Sequence, residues 1–174
     1  MTDETNEPNA DIDTEETIDA SEREYESVRS INGISYINDG AACSIDETKH
    51  ALDKFGNIYW ILGGKASEDS GTNILEGLEN HINKVQHAFV CGASADEITE
   101  WLDRNGVENT RCVTLENAVN LAHGMAQSQR GLPGSGNTIL FSPACQHGDN
   151  YQSLEHRKKA FGHLVQDLSE EVDE

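Results

Sequence analysis

Positive charge is scarce in this sequence. Twelve Lys and Arg face 32 Asp and Glu, a formal net charge of −20. Neutralising phosphates requires clustered Lys and Arg, so the balance excludes nucleic acid and anionic membrane surfaces as main partners. The basic run Arg157-Lys158-Lys159 is too short to change this. Such an acidic excess reads first as solubility. Long apolar runs are missing too, and none approaches the ~20 residues of a membrane span. The first residues are acidic and polar, unlike a signal peptide. Cysteine is sparse: Cys43, Cys91, Cys112 and Cys145 form no CxxC pair. That fits reduced thiols in a cytoplasm better than a disulfide frame.

Apolar residues make up only 36%, and part of the deficit sits at the start of the chain. Residues 1–30 hold eleven acids against Arg23 and Arg29. Such a stretch buries too little surface to offset its ordering entropy. The expected organisation of the 174 residues is therefore a disordered acidic arm over 1–22, one domain over 23–168, and an acidic tail over 169–174.

Within the domain, Asn32-Gly33 separates two alternating segments, Tyr25–Ile31 and Ile34–Asn38. Asn-Gly favours positive φ at both turn positions, which predicts a hairpin. Ser44-Ile45-Asp46-Glu47 reads as a capping box opening a helix with Ile45, Leu52 and Phe55 inward. A short strand over 57–62 ends at Gly63-Gly64, followed by a polar loop over 65–72. The spacing of Ile74, Leu75, Leu78 and Ile82 predicts a second helix. A strand follows over 87–91. Ser94-Ala95-Asp96-Glu97 is a second capping box, ahead of Ile98, Trp101 and Leu102. A strand over 110–113 leads to a helix capped by Thr114 and carrying Leu115, Ala118, Val119, Ala122 and Met125. A loop over 130–136, a strand over 138–141 and a helix over about 150–168 complete the pattern.

Strands alternating with helices imply an α/β fold: a Rossmann-like three-layer sandwich with a mostly parallel sheet and an antiparallel N-terminal hairpin at its edge. Ligands in such folds sit at the carboxyl ends of the strands. That draws attention to the loops 38–44, 63–71, 91–94 and 142–150.

Several local motifs have ordinary explanations. Residues 131–138 nearly spell a P-loop, but Asn137 replaces the phosphate-binding lysine and a strand follows instead of a helix. A connector is the better reading. Cys145, His147 and Asp149 alternate within one loop, yet three such residues without a partner motif are weak evidence for a metal, and none is assigned. Ser142 lacks the G-x-S-x-G surroundings of a nucleophile. The other histidines are scattered on helices and strand edges.

Three segments together are distinctive: Ile34–Asp39 after the Asn-Gly turn, Tyr59–Gly64 ending in Leu-Gly-Gly, and Leu140–Cys145 with its Ser-Pro-Ala-Cys. Their order and spacing resemble the third domain of the Mur ligases that add D-glutamate during peptidoglycan synthesis. The resemblance runs from about Tyr25 to Leu168. It implies a domain that brings the amino acid and closes over ATP, while the P-loop, the magnesium ligands and the UDP-binding site lie on the family's other two domains. The expectation is that this chain is not a complete ligase by itself. It would need no cofactor alone, and ATP and Mg only if a partner chain supplied the N-terminal and central domains.

The resemblance also assigns positions, many of them changed. Asn38 and Asp39 would face the nucleotide, and Gly63, Gly64, Ser142 and Pro143 would build the loop scaffold. The family follows its Asn-Asp with Ser-Lys-Ala-Thr-Asn, where this chain has Gly40-Ala41-Ala42-Cys43-Ser44. Cys43 thus replaces the hydroxyl that holds the amino-acid carboxylate, and Ala41 replaces a lysine. Ser67 replaces the lysine that pairs with that carboxylate, with Lys65 nearby as a substitute if the loop rearranges. His147 replaces a serine that contacts the side-chain carboxylate, and Leu154 replaces an aromatic. Arg23-Glu24 stands where the family has His-Arg before the hairpin. A charge-assisted hydrogen bond contributes about 1.5–3 kcal/mol. Losing several would remove millimolar or micromolar affinity for D-glutamate.

Three functions follow as alternatives: a divergent non-catalytic binding or regulatory module; a subunit of a split ligase; or an unrelated small-molecule binder on the same scaffold. If the positions of Cys43 and His147 faced one ligand, a thiol would also lie near an imidazole, a pair able to bind a metal or lower the thiol pKa.

Overall fold

The computed structural model describes residues 25–65, 74–129, 136–148 and 150–168. The acidic arm, the acidic tail, Arg23-Glu24, Ser67, Asp149 and most of the 130–136 connector lie outside the described residues.

The hairpin comes first. Strand β1 (Glu26–Ile31) pairs antiparallel with β2 (Ile34–Asn38) across Asn32 (φ 54°) and Gly33 (φ 85°). Both turn residues are in the positive-φ region, as the Asn-Gly signal predicted. Helix α1 (Ile45–Lys54) is followed by β3 (Ile58–Leu62), β4 (Val85–Val90), α2 (Ala95–Arg104), β5 (Asn109–Arg111), α3 (Leu115–Ser128), β6 (Thr138–Phe141) and α4 (Leu154–Gln166). The sheet order is β1-β2-β6-β3-β4-β5, and every pairing except β1 with β2 is parallel.

Parallel strands covered on both faces bury every residue, and β3 and β6 do so along their whole length. Alternation along β3 divides its side chains between two cores. Ile58, Trp60 and Leu62 join Leu52 of α1 and Ile98, Trp101 and Leu102 of α2. Tyr59 and Ile61 join Val119 and Ala122 of α3 and Phe161 and Val165 of α4. These two cores make the three-layer sandwich. Among the described residues no helix is long and apolar enough to cross a membrane.

Two local expectations fail. Residues 74–84 form consecutive turns rather than a helix, with Leu78 N–H bonded to Leu75 O and His81 N–H to Leu78 O. Gly77 sits at φ 109°, which no helix admits. Leu75, Leu78 and Ile82 are nevertheless buried, so the apolar spacing was real and its conformation misread. The second capping box also fails. Ser94 has φ −99° and ψ 23°, outside the extended cap conformation, and its side chain makes no cap bond. The first box forms: Ser44 accepts from Glu47 N–H, and Glu47 Oε1 accepts from Cys43 N–H at 2.8 Å.

Candidate functional site

The carboxyl ends of β2, β6 and β3 converge on a buried chain of polar groups. Asp39 follows β2, is 4% exposed, and donates its N–H to Phe141 O at 2.8 Å. Its carboxylate accepts from Ser142 Oγ at 2.8 Å. Thr48 Oγ1 lies 2.8 Å from the same Ser142 Oγ. Ser142 has one hydroxyl proton and directs it to Asp39, so Thr48 is the donor in the second bond. Trp60 Nε1 closes the cluster by donating to Ser142 O at 2.9 Å. Ser142 is fully buried with its proton committed, so it is a structural residue and no nucleophile.

Asn38 uses both ends of its amide. Nδ2 donates to Lys158 O at 2.8 Å and Oδ1 accepts from Gly40 N–H at 3.0 Å. A Cβ on Gly40 would lie 2.9 Å from Asn38 Oδ1 and 3.0 Å from the Lys158 backbone, so the close approach of this loop to α4 requires glycine. Arg157, 2% exposed, holds the same two parts together. It donates from Nε to Gly40 O (3.0 Å), from Nη1 to Cys145 O (2.8 Å) and from Nη2 to Ala42 O (3.2 Å). Burial lowers its pKa from the ordinary value.

Beyond β3 the backbones touch. A Cβ on Gly63 (φ 126°) would come within 1.7 Å of Cys91 O, and one on Gly92 (φ 102°) within 2.6 Å of Gly64 N. Gly63 N–H donates to Pro143 O, and Lys65 pairs through its backbone with Gln146 in an isolated antiparallel bridge. Lys65 is thereby fixed beside the 146–148 loop, with its side chain exposed. His147 Nδ1 donates to Gly148 O at 2.9 Å, a carbonyl being able only to accept.

The structure thus gathers Asn38, Asp39, Ser142 and Pro143 at the ends of β2 and β6, and Gly63, Gly64 and His147 around a small crevice between β3, β4 and β6. Cys43 and Ser44 stand apart at the start of α1, and Leu154 at the start of α4. The hydrogen bonds of Cys43 and His147 lead to other partners: Cys43 N–H to Glu47 Oε1, and His147 Nδ1 to Gly148 O. Burial pushes the Cys43 thiol up, and the adjacent Glu47 carboxylate pushes it further, the reverse of an activated thiol. Among the described residues no group of three His, Cys, Asp or Glu is placed to hold a metal ion.

A second, wider cleft of about 650 Å³ opens between β1 and α4, bordered by Tyr25, Asn38, Lys158, Lys159 and His163. The sequence reading missed Thr48, Trp60 and above all Arg157, which it took for part of a charged run. A signal was available: Arg157, Phe161 and Val165 lie four residues apart and form the buried face of α4.

The comparisons bear on this geometry. No family model matches the chain. The UDP-N-acetylmuramoylalanine–D-glutamate ligase of Paramagnetospirillum magneticum is 40% identical over 135 residues, 78% of this chain and 28% of that protein. The ligase of the same name from Solibacter usitatus is 36% identical over 150 residues, 86% of this chain and 31% of its own length. This chain belongs to the Mur ligase family. The Mur ligase domain described here spans between a quarter and a third of the length of these relatives. Among solved structures, UDP-N-acetylmuramate-alanine ligase MurC from Thermotoga maritima aligns at TM-score 0.42 and 14% identity, over 76% of this chain and 27% of that one.

Proposed function

We propose that this Mur ligase domain is a non-catalytic binding or regulatory module of cytoplasmic peptidoglycan synthesis, one that has lost the family's grip on D-glutamate. The observation that carries the reading is the contrast between framework and rim. The framework is complete: Asp39, Ser142, Thr48 and Trp60 are joined by hydrogen bonds of 2.8–2.9 Å. At the rim, positions that the resemblance gives to lysines and hydroxyls hold Ala41, Cys43, Ser67 and His147. D-glutamate brings two carboxylates, and charge-assisted bonds of about 1.5–3 kcal/mol each are missing from the residues that would meet them. Isothermal titration of the chain with D-glutamate should show no binding in the micromolar range. Micromolar affinity would overturn the reading.

One observation favours a second reading, in which the domain completes an ATP-dependent D-glutamate ligase with Mur N-terminal and central domains on another chain. Asn38, which by family position faces the nucleotide, borders the wide cleft together with Lys158 and Lys159. ATP and Mg would then be bound mainly by the partner. Mixing this chain with those two domains, ATP, Mg and the UDP-muramoyl-alanine substrate tests it. Formation of product would establish the second reading, and its absence leaves the first.

A further inference from the structure

Two of the four cysteines end neighbouring strands. Cys91 follows β4 and Cys112 follows β5. Val90 is paired with Arg111, and Cys112 N–H donates to Val90 O at 2.7 Å. The parallel ladder therefore carries on by one residue and sets Cys91 opposite Cys112. Their side chains share one face of the sheet. Cys112 belongs to the core shared by α3 and α4, Cys91 packs against that core, and Val90 alternates into the other one. Adjacent strands lie about 4.7–4.9 Å apart, inside the roughly 4.4–6.8 Å between Cα atoms that a disulfide spans.

Little holds either thiol where it is. Cys91 Sγ sits 3.9 Å from Leu62 O and Cys112 Sγ 3.7 Å from Thr110 O, and S–H is a weak donor. The two groups also sense each other: after burial, the nearness of Cys112 is the next cause that holds the Cys91 proton on. Their access differs. Cys91 is partly exposed and lines the crevice beside Gly63, Gly64 and Gly92, whereas Cys112 is 7% exposed. A small oxidant thus meets Cys91 first and reaches Cys112 only through it. Parallel neighbours keep their Cβ atoms near the strand spacing, slightly beyond the roughly 3.5–4.5 Å of a relaxed disulfide, so closure pulls β5 inwards. That strand can yield, being three residues long and at the edge of the sheet. A bond closed under strain is readily reduced again.

We propose that Cys91 and Cys112 form a reversible disulfide across β4 and β5, made by exchange with a low-molecular-weight disulfide. The Cys91 thiolate attacks the oxidant, forming a mixed disulfide and releasing one thiolate. The Cys112 thiolate then attacks the Cys91 sulfur and expels the second. The two expelled thiolates take up the protons lost by the two cysteines, so the oxidant is reduced to two thiols as the protein's disulfide forms. Burial keeps both cysteines protonated at neutral pH, so the exchange is slow there and quickens as pH rises. The bond ties together two walls of the crevice, Cys91-Gly92 and Val113-Thr114. The inference is independent of what the domain binds.

The test is incubation of the full chain with hydroxyethyl disulfide at mildly alkaline pH, an acid quench, and tryptic mapping without reduction. Cleavage at Lys84, Arg104, Arg111 and Arg130 puts the two cysteines in separate peptides, 85–104 and 112–130, apart from Cys43 and Cys145. The expected product joins these two peptides, about 10-fold or more above any other cysteine pair, and disappears with dithiothreitol. Cys112→Ser should instead leave the hydroxyethyl mixed disulfide standing on Cys91. In urea the preference should vanish, because only the folded ladder sets the two cysteines opposite each other. The wild-type map needs no variant, so the proposal stays testable even if Cys112→Ser fails to fold. A dominant Cys91–Cys145 link, a mixed disulfide that persists on Cys91 in the unsubstituted chain, or the same share of Cys91–Cys112 link in folded and urea-unfolded protein would each overturn the proposal. So would a Cys91 left unmodified after Cys43 has reacted completely and incubation has been prolonged.

Discussion

Removing one hydroxyl should measurably weaken the entire domain. Ser142→Ala deletes the donor to Asp39 and the acceptor for Thr48 in a single step. Asp39 is 4% exposed and Thr48 and Ser142 fully buried, so water cannot replace either partner without opening the sheet ends. A lost hydrogen bond to a charged group costs about 1.5–3 kcal/mol, and a buried hydroxyl left without an acceptor about 1–3 kcal/mol. The two together give about 2.5–6 kcal/mol, a drop in Tm of roughly 5–25 °C for a domain of this size. Urea or thermal unfolding followed by circular dichroism reads this directly. Thr48→Val separates the terms. It removes a donor while leaving the Ser142–Asp39 bond intact, so alone it should cost only about 1 kcal/mol. In Ser142→Ala/Thr48→Val the orphaned hydroxyl is gone, so the double variant should be no less stable than Ser142→Ala. A cost below about 1 kcal/mol for Ser142→Ala, or full additivity of the pair, would refute the account of a coupled buried chain.

Gly63→Ala should prevent accumulation of folded protein, because the added Cβ meets Cys91 O at 1.7 Å in a positive-φ conformation; recovery of soluble, cooperatively unfolding protein would contradict it. The thiols should differ in reactivity. Burial pushes Cys91 and Cys145 up to about 12, leaving roughly 10⁻⁴ of each as thiolate at pH 8. Half-exposed Cys43 should therefore be alkylated first, as read by mass spectrometry. The same shifts set a pH limit. Unfolded thiols ionise near 9 and these two near 12, so the folded state holds its protons longer and stability should fall as pH rises through that window.

The fold was legible where one residue pattern admitted one structure. Asn32-Gly33 could hardly be anything but a tight hairpin turn, and strands such as 58–62 and 138–141 are short apolar runs bounded by loop residues. The sequence misled where a pattern fitted two structures. Ile74, Leu75, Leu78 and Ile82 are spaced for a helix, but they are equally spaced to drop into the core from successive turns, and Gly77 selected the turns. Ser94 failed as a cap because its N–H is drawn to Gly64 O, a tertiary bond that no local motif reveals. At the site, charge reasoning took Arg157 only as part of a short basic run. Its burial depends on three carbonyls that lie 12, 115 and 117 residues away in sequence.

The meeting of Gly63, Gly64 and Gly92 has a mechanical consequence. With no side chain between them, the loops leaving β3 and β4 rest backbone on backbone, and the β6 loop is laced to the first of them through Pro143 O and Gln146. Among the described residues, the starts of these three connections are joined backbone to backbone into one layer. A side chain added at any of the three glycines would find no gap to fill and would push strand ends apart, because the nearest atoms are backbone of the neighbouring connection.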